Sequence, residues 1–217
     1  MIIACVRTGT KYPFEYVVKL RNMVERHAGD LAYRFVCLTD QLERCFGIEF
    51  IDISSEGLPG WWGKMTLLKW HWRRMQRVVY LDLDTVIVGD LAPLCRVQLQ
   101  SGLGICDNFA RLAGAVNWPC KYNSSVMVID AIFGEGLWRE FNESRQMMES
   151  IGRYGDQMAI ERIYPNADLL QSLLPPGYFL NYRNLSESIP PEAAIINFGG
   201  RSRPHNCNLA WVQKAWA

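Results

Sequence analysis

Apolar positions open the chain in an unbroken run, Ile2-Ile3-Ala4-Cys5-Val6, too short for a helix and read as a buried strand. A polar turn follows from Arg7 to Pro13, and Pro13 suits the first turn of a helix. Phe14, Val17, Val18, Arg21, Val24 and Glu25 then recur at helical spacing, with apolar residues on most of one face. Residues 33–38 and 47–53 read as two further strands. Strand, helix, strand, strand over the first fifty residues predicts an α/β sheet with parallel connections.

Residues 54–63 are rich in Gly and Ser and hold Pro59, which marks a loop. Met65, Leu68, Trp72 and Met75 predict an amphipathic helix over 64–77. Residues 78–83 form the strongest strand pattern of the chain. Further strands are predicted at 103–106, 125–129 and 194–198, and helices at 137–150 and 156–163. With no internal repeat and no low-complexity tract, residues 1–217 read as one domain.

Charge and cysteine usage narrow the picture. Lys plus Arg total 23 against 22 Asp plus Glu, so the chain lacks the cationic excess of a nucleic-acid binder. Lys69, His71, Arg73, Arg74 and Arg77 form one local basic cluster, read as a solvated helix face that would also suit a polyanion. The seven cysteines are odd in number and lack zinc-site spacing, so they read as buried reduced thiols. The first residues lack a leader pattern, and no apolar run approaches the ~20 residues of a membrane span. A cytoplasmic protein is the expectation.

The chemistry concentrates after the strongest strand, at Tyr80-Leu81-Asp82-Leu83-Asp84-Thr85. Side chains two apart on a strand share a face, so Asp82 and Asp84 are expected to project together with Leu83 turned away. Ligands of open α/β sheets gather beyond the carboxyl ends of the strands. Two carboxylates held together there repel unless a cation sits between them, and oxygen donors suit Mg²⁺ or Mn²⁺.

Other segments keep that pair company: Lys64, Asn123-Ser124-Ser125-Val126-Met127, Gly155-Asp156-Gln157, and Asn197-Phe198-Gly199-Gly200-Arg201-Ser202-Arg203-Pro204. Taken in this order, they resemble glycosyltransferase family 8 over nearly the whole chain. The resemblance implies a GT-A (Rossmann-like) α/β fold with a mixed, mostly parallel sheet, a nucleotide-diphosphate sugar donor (a UDP-sugar), Mn²⁺ (or Mg²⁺), and transfer with retention to a hydroxyl acceptor. It matches Asp82 and Asp84 to the metal motif, with Asp82 also touching the donor. Lys64, Asp107, Asn123, Ser124, Gly200 and Arg203 match donor-binding positions, and Thr8 and Tyr12 lie where the family seats the nucleoside. Asp156 and Gln157 match the pair beside the reacting carbon.

The chain departs from the family where a metal-binding His is usual. Asn197 stands there, and His205 in the following turn is the alternative ligand. Arg203 replaces a Lys, keeping the charge and adding a forked donor suited to phosphate. Two other readings stand beside this one: a haloacid-dehalogenase-like phosphatase using Asp82 and Asp84, and a non-catalytic sugar-nucleotide binder. The acceptor stays open among a glycan, a protein hydroxyl and a modified nucleic acid.

Overall fold

Ile2 to Val6 is buried on both faces because it occupies the middle of a sheet. The computed structural model describes residues 1–217 apart from 70, 71, 116, 118, 151–154, 186, 200 and 201. Ten strands are formed among the described residues: β1 (Ile2–Arg7), β2 (Arg34–Thr39), β3 (Glu49–Asp52), β4 (Val78–Leu81), β5 (Thr85–Ile87), β6 (Leu103–Asp107), β7 (Tyr122–Ile129), β8 (Asp168–Leu169), β9 (Phe179–Asn181) and β10 (Ile195–Asn197). The helices are α1 (Glu15–His27), α2 (Ala92–Arg96), α3 (Phe109–Leu112), α4 (Glu135–Glu143), α5 (Arg145–Ser150), α6 (Gly155–Ile163), α7 (Leu170–Leu173) and α8 (Ala210–Trp216).

The main sheet runs β3-β2-β1-β4-β7-β6-β8, and β5, β10 and β9 form a smaller sheet in the order β5-β10-β9. β1, β2, β3 and β4 are mutually parallel, whereas β7 runs antiparallel to both β4 and β6. Alternation along β1 divides the core. Ile3 and Cys5 face one layer with α1 and α8, while Ile2, Ala4 and Val6 face the other with α4 and α6. Apolar residues on both faces give a strand no side to show to water, which is why the first strand reads as a continuous run.

The helix expected over 64–77 is not formed. A 3₁₀ segment runs from Gly60 to Leu68, and residues 72–75 are a turn in which Arg74 and Met75 take positive φ of 50° and 56°. Trp62, Met65 and Leu68 are all buried, a spacing of three that matches the 3₁₀ period. Arg73 is fully buried and donates to the carbonyls of Lys69, Asp130 and Phe133. Those bonds hold the turn in place of helical ones. The helix expected over 137–150 is broken at Ser144, whose N–H bonds back to Glu140 and Phe141.

The acidic segment also differs from its expected geometry. β4 ends at Leu81, and the Thr85 N–H bonds to the Asp82 carbonyl across 3.0 Å, so Asp82 to Thr85 is a tight turn rather than strand. A second anchor holds Asp82 in place, its N–H bonding to the Ser125 carbonyl of β7 at 2.8 Å. Among the described residues no helix is long and apolar enough to cross a membrane. All seven cysteines are free, and five of them are buried.

Candidate active-site cleft

A cavity of about 590 Å³ opens beyond the carboxyl ends of β1 and β4. Thr8, Tyr12, Lys64, Asp82, Asp84, Asn123, Ser124, Asp156, Gln157 and Arg203 line it, ten of the positions expected from sequence. Leu83 lines it too, because the turn brings all three residues of the acidic segment to the cleft rather than alternating them.

One wall carries a buried ionic cluster. Lys64 Nζ lies 3.0 Å from Asp82 Oδ1, 3.5 Å from Asp156 Oδ2 and 3.3 Å from Ser124 Oγ. Ser124 donates to Asp156, and the buried phenol of Tyr80 donates to Asp82. Burial works against the Lys64 ammonium, but Asp156, Asp82 and Asp84 outweigh it and push its pKa above the ordinary value. Asp156 is only 4% exposed at the first turn of α6. Burial raises its pKa, with Lys64 and Ser124 pulling the other way.

The opposite wall holds the second acid. Asp84 Oδ2 accepts from Tyr12 Oη at 2.7 Å and lies 3.4 Å from Arg203 Nη1. Burial first, then the Asp82 charge, push its carboxyl up to about 6 against the pull of Tyr12, Arg203 and Lys64. A buried acid whose ionisation is opposed by a neighbouring carboxylate marks a place for added positive charge.

The rim is rigid. Thr8 Oγ1 donates to the Gly60 carbonyl at 2.7 Å, pinning the start of the 3₁₀ segment over the first loop. Trp62 is buried and stacks on Phe141, whereas Trp61 lines the cleft and is 52% exposed. Trp61 and Lys64 are three apart on a 3₁₀ segment and so share a ridge facing the cavity.

Three expected residues lie apart from the lining. Asp107 follows a β-bulge in β6, and its Oδ1 accepts the N–H of Asn108, the residue that caps α3. His205 is exposed and shares its Nδ1 with the Tyr16 hydroxyl, which leaves it outside the cleft. Asn197 sits under the cleft on β10, opposite Thr85, while its neighbours Phe198 and Gly199 reach the lining. Gly200 lies outside the described residues, as does His71.

The basic cluster does not form a cationic face. Lys69 pairs with Glu56, Arg77 with Asp130, and Arg73 is buried.

The described residues contain no group of three or more His, Cys, Asp and Glu side chains able to hold a metal. Oxygen donors of another kind are present. Asn197 is 2% exposed, and neither its amide oxygen nor its amide nitrogen has a partner among the described residues; the facing Thr85 Oγ1 is equally unpartnered. Buried polar atoms are rarely left so; Thr85 adjoins Asp84 in the chain, and oxygen donors of this kind suit a hard cation. Sequence reasoning missed Lys11 in the lining, because a lysine in an exposed loop carries no pattern signal. It also missed Tyr80, whose phenol reads as strand core.

No protein-family model matches the chain. An Arabidopsis thaliana protein described as probable galacturonosyltransferase-like 5 is 30% identical over 118 residues, covering 46% of this chain and 30% of that protein. The match therefore spans less than a third of that relative. The galactosyltransferase LgtC, solved with donor and acceptor sugar analogues, superposes with a TM-score of 0.72 at 16% identity, covering 99% of this chain and 93% of that one. The glycosyltransferase GlyE of Streptococcus pneumoniae TIGR4 gives a TM-score of 0.68 at 14% identity, covering 99% of this chain and 60% of that one. The structural likenesses establish the GT-A fold, and the partial sequence match is to a galacturonosyltransferase-like protein. The phosphatase alternative fails on topology, since its nucleophilic Asp ends the first strand and Asp82 follows β4.

Proposed function

We propose that this chain is a retaining glycosyltransferase that moves a sugar from a nucleotide-diphosphate donor, a UDP-sugar by family resemblance, to a hydroxyl acceptor. One observation carries the reading. Lys64, Asp82, Ser124 and Asp156, from four separate stretches of sequence, meet within hydrogen-bond or ion-pair reach on one wall of the cleft.

The chemical demand is to part a sugar from a diphosphate. Negative charge grows on the leaving phosphate while the sugar becomes cation-like. Lys64 and Arg203 would meet the growing negative charge at fixed positions, a form of stabilisation that removing one donor typically shows to be worth ~3 kcal/mol. Asp156, held by Lys64 and Ser124, would face the cation-like carbon with Gln157 beside it. Thr8 and Tyr12 would seat the nucleoside, and Asn123 and Ser124 the sugar hydroxyls.

Asp82, Asp84 and the orphaned oxygen of Asn197 are the residues that would hold a divalent cation. Bound there, Mn²⁺ or Mg²⁺ supplies Lewis-acid neutralisation of the diphosphate. Lys64 pairs with Asp82 and Arg203 with Asp84. The sugar analogues bound to LgtC as donor and acceptor support a saccharide acceptor for this chain over a protein hydroxyl or a nucleobase.

Calorimetry with a panel of nucleotide sugars and Mn²⁺, followed by a transfer assay, tests the proposal. Binding of a diphospho-sugar that Asp82→Asn abolishes is the expected result. Hydrolysis of an aryl phosphate with no sugar-nucleotide binding would overturn it, and binding without any turnover would reduce the chain to a binding protein.

A further inference from the structure

Lys11 is the cation of the cleft that neither the acidic motif nor the family resemblance accounts for. It lies on the loop between β1 and α1, lines the cavity, and forms no ion pair with any described carboxylate. Its ammonium rests 4.8 Å from the centroid of the Tyr12 ring. The Arg203 guanidinium, arriving from the far end of the chain, rests 5.5 Å from the centroid of the same ring. Two cations thus share one aromatic platform.

Tyr12 is fixed from its other end by the 2.7 Å hydrogen bond to Asp84. The platform cannot swing away without breaking that bond. Gathering like charges costs energy, and burial followed by Arg203 lowers the pKa of Lys11. Arg203 has Asp84 as a partial counter-charge, but Lys11 has none within ion-pair reach among the described residues. Two cations gathered in one cleft draw an anion to them.

We infer that Lys11 and Arg203, both resting against the Tyr12 ring, form a diphosphate clamp in which Lys11 is a donor-binding residue additional to those matched by resemblance. The inference rests on the proposed diphosphate donor and names the part of it that Lys11 recognises. A forked guanidinium and a point-charge ammonium suit two adjoining phosphates, the first by geometry and the second by charge. The clamp would add positive charge in a cleft where Asn197 stands in place of the family's metal-binding histidine.

Inorganic pyrophosphate is the direct probe, since it carries the diphosphate without base or sugar. Its dissociation constant, and those of uridine diphosphate and uridine monophosphate, are to be measured by calorimetry for wild type, Lys11→Met and Lys11→Arg, with Tm recorded for each. The expected result is about a tenfold loss of pyrophosphate and diphosphate affinity in Lys11→Met, the scale of one charge-assisted hydrogen bond. Monophosphate binding should change far less, and Lys11→Arg should retain most of the affinity. Unchanged pyrophosphate binding in a folded Lys11→Met overturns the clamp while leaving the donor proposal intact. Equal losses for mono- and diphosphate also overturn it, since Lys11 would then act on what the two ligands share rather than on the diphosphate. A wild type that binds neither pyrophosphate nor any nucleoside diphosphate overturns the donor proposal and the clamp with it.

Discussion

Lys64 Nζ lies 3.5 Å from Asp156 Oδ2, joining the 3₁₀ segment before β4 to the first turn of α6. Both side chains are nearly buried, at 12% and 6% exposure, so each depends on the other for its charge. Asp82 shares the same ammonium. The cluster has two acids facing one lysine, and removing the lysine leaves both uncompensated.

Lys64→Met should therefore cost more than a lost phosphate contact. Breaking a buried pair by deleting one partner costs about 3–5 kcal/mol, and chemical denaturation should show a loss of that order. Activity should fall by roughly two orders of magnitude or more. A full-strength Lys64→Met enzyme would remove Lys64 from the mechanism.

The raised pKa of Asp84 makes a signed prediction. Its folded carboxyl titrates near 6 against an ordinary value of 3.8, so the folded state holds this proton more tightly than the unfolded state. The associated stability is fully present below about pH 4 and is lost as pH rises through 6, by about 3 kcal/mol in all. A bound cation relieves that loss only where Asp84 is ionised. The thermal shift produced by Mn²⁺ should grow from pH 5 to pH 7.5 in wild type, and that growth should vanish in Asp84→Asn.

Asn197 offers a test with opposite outcomes for stability and ion binding. Its unpartnered buried amide means that Asn197→Ala exchanges an unsatisfied polar group for a small cavity, so metal-free Tm should change little. The Mn²⁺-induced shift should shrink in the same variant, and Asn197→His should enlarge it by restoring an imidazole. Loss of metal-free stability with an unaltered Mn²⁺ shift would make Asn197 purely structural.

Gly155 ties the rim to the reacting side of the cleft. It holds φ of +61°, and a Cβ there would stand 2.5 Å from Trp61 Nε1. Gly155→Ala should cost about 1–3 kcal/mol of backbone strain and displacement, read as a lower Tm. Turnover should fall more than donor binding does, because Asp156 is the next residue.

The sequence carried the strands and the cleft further than it carried the segments between them. β1 and β4 are buried on both faces, so their apolar runs announce them, and the acids at the end of β4 follow. The 3₁₀ segment at Gly60–Leu68 was hidden because spacings of three and four blend over a few residues, and because a buried Arg73 bonded to carbonyls reads as a surface charge. β5, β8 and β9 are three residues or shorter, and pairing rather than local pattern forms them. Asp107 and His205 lie apart from the lining for reasons the sequence does not display. Asp107 follows a bulge and His205 meets the Tyr16 hydroxyl, neither of which is visible in sequence.

The most direct measurement is release of nucleoside diphosphate from a panel of nucleotide sugars, comparing wild type with Asp156→Asn in the presence of Mn²⁺ and a saccharide acceptor. Release from at least one donor by wild type, reduced a hundredfold or more by the substitution while donor binding persists, is the predicted result. Release from no donor, or equal release by both proteins, would contradict the account.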